Sequence, residues 1–187
     1  MTTALGGSVE LLERALAYTR ARLAGVRDDL LDRRTPCEGW TLADLLAHME
    51  DALDAFTEAA GGTVEVRGGT RSAGRVEALQ VKACGLLGAW GAPAPGDVVL
   101  TTRLGRSDLV TSLLVATASL EITVHGWDVG RATGDPAPVP VALARDLLPV
   151  ARTVVGPGDR GTRFAAARAV AADTPDDVRL LAFLGRG

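Results

Sequence analysis

The sequence has 187 residues, 47% of them hydrophobic, with a formal net charge of −3 and a pI near 5.4. That length and apolar content suit one compact domain spanning 1–187 with its own core. Only one of the basic residues is a lysine, Lys82, and the arginines are not concentrated in any stretch. Nucleic acid and anionic membrane, which both ask for a basic face, are therefore not expected partners.

The N-terminus, MTTALGGSVELLERAL, lacks a basic segment followed by an apolar one, so no secretory signal is expected. The most apolar window, Leu109 to Val124, is broken by Glu121 and falls short of the roughly 20 residues that cross a bilayer. Cys37 and Cys84 are far apart in the chain, and reduced thiols in a cytoplasmic protein are the expectation.

A first helix is expected from Ser8, with Val9, Leu12, Leu16, Thr19 and Leu23 along one face, fading near Asp32. Pro36 drives Thr35 out of helical geometry and makes 33–40 a connection. Thr41, with Asp44 three positions on, predicts the capped start of a second helix. Its stripe is Leu42, Leu45, Leu46, Met49 and Leu53, and it ends at Gly61-Gly62. The glycine-rich stretch 61–74 reads as a loop with a brief extended piece at Thr63–Val66.

A third helix is expected over 72–90, stopped by Gly91-Ala92-Pro93-Ala94-Pro95-Gly96, and then an extended segment at Val98–Thr102. The fourth helix, the longest apolar one, runs from Ser107 to Thr133 and closes at Gly134. Beyond the connector Asp135–Pro140, helices at 141–154 and 176–184 complete the chain. The pattern predicts an all-α fold, a four-helix bundle with a short C-terminal appendage.

Between Leu109 and Trp127 the ionisable side chains are Glu121 and His125, in otherwise apolar or small surroundings. A buried, unpaired carboxylate would cost several kcal/mol, roughly. Four residues of separation place both groups on one helix face, a turn apart. The other histidine of the chain, His48, lies at the border of the second helix's apolar stripe. Together they make a two-histidine, one-carboxylate set that leaves coordination positions open, the usual form of a catalytic metal site. A histidine bonded into the core, and a Glu-His pair bonded to itself, are the plainer readings of the same residues.

Two segments carry a resemblance. Thr35-Pro36-Cys37-Glu38-Gly39-Trp40-Thr41-Leu42-Ala43-Asp44-Leu45-Leu46-Ala47-His48 resembles the entry to the second helix of the mycothiol-dependent maleylpyruvate isomerase N-terminal domain family, within the DinB-like superfamily. Glu121-Ile122-Thr123-Val124-His125-Gly126-Trp127-Asp128-Val129-Gly130-Arg131-Ala132-Thr133-Gly134 is similar to its second signature. Arg179-Leu180-Leu181-Ala182-Phe183-Leu184-Gly185-Arg186 resembles the closing segment of an actinobacterial branch.

The resemblance implies a DinB-like four-helix bundle holding a divalent metal, most often zinc, with nickel and iron as alternatives. Its ligands would fall on His48, Glu121 and His125. It also implies action on a low-molecular-weight thiol such as mycothiol, as an S-transferase or thiol-dependent isomerase, and a homodimer is an admissible assembly. The isomerase carries a further C-terminal domain, whereas only residues 135–187 follow the second motif here. A stand-alone thiol transferase is therefore expected rather than the complete isomerase. A metal-assisted hydrolase or lyase, and a non-catalytic binding or resistance protein, are the rival expectations.

Four other residues are candidates for the pocket. Trp40 and Trp127 flank the proposed site, as pocket walls or as packing at the bundle end. Asp128 shares the face of His125, either as a carboxylate fixing the histidine tautomer or as a partner of Arg131. The alternative role for Arg131 is contact with an anionic substrate. Cys37 is read chiefly as a small buried group with thiolate chemistry the lesser option, Cys84 as core, Asp44 as cap and Asp51 as solvated.

Overall fold

The computed structural model describes residues 2–61, 63–65, 75–91, 98–102, 105–135 and 137–187. Among the described residues six α-helices carry the fold: α1 (Thr2–Leu23), α2 (Leu42–Ala60), α3 (Arg75–Gly91), α4 (Thr111–Thr133), α5 (Val141–Val154) and α6 (Asp176–Phe183). The first four make the bundle, and α5 and α6 form the C-terminal appendage. A small sheet accompanies the bundle, with strands β1 (Thr63–Glu65), β2 (Val98–Thr102) and β3 (Gly105–Leu109). β1 runs parallel to β2 with Thr63 opposite Val99, and β2 runs antiparallel to β3 with Val98 opposite Leu109.

Several boundaries differ from expectation for local reasons. α1 starts earlier and ends at Leu23, because the chain tightens through hydrogen bonds from Gly25 N to Arg22 O and from Val26 N to Leu23 O. A 3-10 turn at Asp28–Leu30 then drops Leu30 into the core. α4 starts at Thr111 rather than Ser107, since 105–109 pair with β2 instead of coiling. The expected loop over 61–74 and the stop at 91–96 lie largely outside the described residues. Among the described residues no helix is long and apolar enough to cross a membrane.

α4 is apolar all round because it serves two cores. Val115, Ile122 and Val129 face Leu12, Leu45, Met49 and Trp90 within the bundle. Ala116, Leu120 and Val124 face Leu143, Leu147 and Leu180 of the appendage. A helix sandwiched this way has no polar face to show in sequence. It approaches α1 closely at Gly126, where an added Cβ would overlap the Thr19 side chain and lie 3.1 Å from Thr19 Cα. Thr19 Oγ1 donates to Ile122 O at 2.8 Å across the same contact.

Tyr18, the one tyrosine, is buried beside this seam and donates to Ala137 O at 3.2 Å. Burial pushes its phenol up to about 12, against the opposing pull of Arg22. The unfolded phenol ionises near pH 10, about two units lower. Stability from this group is thus complete below that value and is lost as pH rises through the folded value. Phenolate absorbance should show a midpoint near 12 in folded protein and near 10 in denaturant. A folded midpoint near 10 would place the ring in water.

Candidate metal centre

α2 and α4 supply the central side chains. The register of α2 is set at its start by a complete capping box, in which Thr41 Oγ1 accepts from Asp44 N and Asp44 Oδ2 accepts from Thr41 N. With Leu42, Leu45, Leu46, Met49 and Leu53 buried, His48 falls at the edge of the stripe, as its spacing predicted. On α4, Glu121, His125 and Asp128 fall within about 60° of arc over two turns, one face of the helix.

Glu121 Oε1 accepts from His48 Nε2 at 2.8 Å and from His125 Nε2 at 3.1 Å. The two imidazoles stand edge to face, with ring centroids 5.0 Å apart. Donor atoms around a tetrahedral zinc lie roughly 3.3 Å apart, given zinc–nitrogen lengths near 2.0–2.1 Å. The His48, Glu121 and His125 donor atoms all lie within 4.8 Å of one another, so two imidazoles and a carboxylate fit a divalent ion in type and spacing.

An outer ring orients the inner one. His125 Nδ1 donates to Asp128 Oδ2 at 3.0 Å, which leaves Nε2 turned toward Glu121. Asp128 is fully buried, and the Arg186 guanidinium grips it from Nε to Oδ1 and from Nη2 to Oδ2, both at 2.8 Å. Cys37 Sγ donates to Asp128 Oδ2 at 3.3 Å and accepts from Arg186 Nη2 at 3.4 Å. Cys37, His125 and Asp128 also have donor atoms within 4.8 Å of one another. The Arg186 cation already occupies that corner and disfavours a second cation there.

Charge follows this geometry. Burial alone would raise the Glu121 carboxyl, but the hydrogen bonds from His125 and His48 outweigh it and hold Glu121 well below the usual carboxylate range. Burial opposes the charged form of His125, yet Asp128, Cys37 and Glu121 together raise it well above an ordinary histidine. Asp128 is lowered, its desolvation outweighed by His125 and Arg186. Arg186, although desolvated, is raised by Asp128. From Glu121 through His125 and Asp128 to Arg186 the side chains alternate in charge.

Arg186 arrives by a specific turn. α6 ends in a Schellman motif, in which Arg186 N donates to Leu181 O at 2.8 Å and Gly185 N to Ala182 O at 3.1 Å. Gly185 sits at φ +75°, and an added Cβ would lie 2.8 Å from the backbone of Ala165. Gly185→Ala should therefore cost at least 1–2 kcal/mol, roughly, by combining left-handed strain with a backbone clash. Chemical denaturation measures it, and a loss below a few tenths would show that the turn has room.

Trp40 stands over the site, 5.0 Å from the His48 ring centroid and 6.5 Å from that of His125. The connection at 33–40 holds it there through Thr35 N to Trp40 O and Trp40 N to Cys37 O, both 3.1 Å. A polar cavity of about 390 Å³ opens beside it, walled by Cys37, Glu38, Trp40, His48, Arg163 and Arg186, with Glu121 and His125 at its base. A second, apolar cavity of about 490 Å³ reaches Glu121 and His125 from between α1, α2 and α3.

The structure thus brings His48, Glu121, His125, Asp128 and Trp40 together. It does not bring in Trp127 and Arg131. Trp127 lies about 120° around α4 from Glu121 and packs on the appendage core, with the exposed Arg131 guanidinium 5.6 Å over its ring. Neither lines either cavity. The expected alternative of an Asp128–Arg131 pair gives way to His125 and Arg186. Cys84 is exposed at the rim of the apolar cavity rather than in the core, off the face of α3 that buries Leu79, Leu86 and Trp90. The role of Arg186 was missed in sequence; its signal was a Gly-Arg pair just past a short apolar helix.

The fold is a DinB-like helical bundle, with His48, Glu121 and His125 converging from α2 and α4. The family model described as the mycothiol maleylpyruvate isomerase N-terminal domain matches residues 12–130, and the chain belongs to that family. It is 31% identical over 176 residues to uncharacterized proteins of two Mycobacterium tuberculosis strains, CDC 1551 / Oshkosh and ATCC 25618 / H37Rv. The match covers 93% of this chain and 94% of each relative. Among solved structures it is similar to the mycothiol-dependent maleylpyruvate isomerase, with TM-score 0.59 and 18% identity, covering 77% of this chain and 68% of that one. A histidine-to-alanine mutant of that isomerase matches with TM-score 0.58 and 17% identity, covering 78% and 67%. These likenesses show the shared fold.

Proposed function

We propose that the protein is a divalent-metal-dependent enzyme that activates a low-molecular-weight thiol, with mycothiol the leading candidate and zinc the leading metal. The metal would be held by His48, Glu121 and His125. The observation that carries this reading is the single carboxylate oxygen, Glu121 Oε1, shared between two imidazole Nε2 atoms from different helices. Family membership supports a thiol as the co-substrate.

An ion held by His48, Glu121 and His125 would supply Lewis acidity, the chemistry that lowers a thiol's pKa toward neutral pH. The chain's own residues do the rest. Asp128 holds His125 in the tautomer whose Nε2 faces the site, and Arg186 keeps Asp128 ionised in a fixed orientation. Trp40 covers the imidazole of His48 and narrows the access of water. Arg163, Glu38 and Arg186 line the polar cavity with charged and hydrogen-bonding groups suited to a hydrophilic thiol.

Elemental analysis of the purified chain after zinc supplementation should give about one ion per chain, as a single three-ligand site requires. A screen of electrophiles with mycothiol and with glutathione should show thiol-dependent turnover. A chain that retains no divalent ion ends the metal reading. Turnover that is indifferent to added thiol favours metal-assisted hydrolysis instead.

A further inference from the structure

We propose that the apolar cavity between α1, α2, α3 and α4 is the chamber for a second substrate, an uncharged and predominantly hydrophobic molecule delivered to the Glu121–His125 edge. The inference rests on the thiol site proposed above, because it assigns that site's other approach.

The cavity holds about 490 Å³, within the roughly 300–1,000 Å³ typical of small-molecule sites. Its walls are Leu16, Met49, Leu53, Leu87 and Ile122. Among the described lining residues the one hydroxyl, on Thr19, already donates to Ile122 O, and the Gln80 amide is exposed at the mouth. A polar ligand would lose its hydration here with little in return, whereas an apolar one gains from every wall. The rim carries Glu13 and Arg20, one charge of each sign, and so selects for neither.

Position supplies the functional argument. Glu121 and His125 are the two residues common to this cavity and the polar one. A hydrophilic thiol entering past Trp40 and a hydrophobic partner entering between α1 and α3 would therefore meet at the same pair of side chains. Neither would have to cross the other's path. Separate approaches of unlike polarity also keep two thiol molecules from occupying both halves of the site.

The full chain, with its zinc content measured in the same samples, is titrated with the apolar fluorophore 1-aminoanthracene. Saturable binding of one probe per chain is expected. Ala17 on α1 and Cys84 on α3 both line the cavity and are both exposed, so Ala17→Trp and Cys84→Trp fill the mouth from two walls without disturbing buried packing. Each variant should weaken the probe at least tenfold while circular dichroism and zinc content match the parent. Unsaturable binding, or unchanged affinity in the two folded variants, overturns the chamber. Saturable binding blocked by both substitutions in a chain that takes up no zinc upholds the chamber and removes only the metal reading.

Discussion

Replacing His125 with alanine should strip the protein of its divalent ion and of thiol-dependent turnover together. His125 contributes Nε2 to the proposed donor set, while its Nδ1 is tied to Asp128. Loss of the ligand should therefore weaken zinc by more than the 10–100-fold, roughly, that loss of an outer partner such as Asp128 costs. Competition against a chromophoric chelator measures both, with Asp128→Asn as the milder comparison. Stoichiometric zinc retained by His125→Ala would refute the ligand assignment.

The same site has a pH dependence whose sign follows from its hydrogen bonds. In the metal-free protein His125 donates from both nitrogens and is raised well above the ordinary value of 6.5. Binding through Nε2 must release that proton, so apparent zinc affinity should rise about tenfold per pH unit below the folded pKa of His125. For the metal-free fold, stability from the charged His125 is complete below its unfolded value and is lost as pH climbs through the folded one. Glu121 and Asp128 are lowered, so their contribution is present above their unfolded values and is lost as pH falls through the folded ones. Proton release on zinc addition, followed in weakly buffered solution, checks the first claim.

The second large effect concerns stability. Asp128 is fully buried and Arg186 nearly so, and each is the other's main counter-charge. Asp128→Ala leaves the guanidinium desolvated beside a protonated His125 and should cost about 3–5 kcal/mol in denaturant unfolding. Arg186→Met should cost less, because Asp128 keeps the hydrogen bond from His125. In the double variant the losses should fall well short of additive, the mark of a directly coupled pair. A cost below about 1 kcal/mol for Asp128→Ala would mean that water reaches this pair.

The inner site was largely legible in the sequence because each of its parts leaves a local mark. Glu121 and His125 are the ionisable side chains of the apolar run from Leu109 to Trp127, and His48 is the other histidine in the chain. The capping box at Thr41–Asp44 fixed the start of α2, and hence the face on which His48 falls. The outer site was not legible, because Asp128 offered neighbours on its own helix at the right spacing. A pairing with Arg131 satisfied every local rule, yet the carboxylate turned to a residue 58 positions away. β3 was hidden for a similar reason, since no turn residue separates Ser107–Leu109 from α4 and only pairing with β2 takes them out of the helix.

By itself, then, the sequence determined which segments coil, which helix is the most apolar, and which two imidazoles and one carboxylate converge. Those properties depend on periodicity and composition within one or two turns. The tertiary structure alone decided the counter-ion of Asp128, the seat of Trp40 over the imidazoles, and the pair of unlike cavities meeting at Glu121 and His125. Each of these depends on the distance between elements remote in the chain, which is set by packing of whole helices and leaves no local trace.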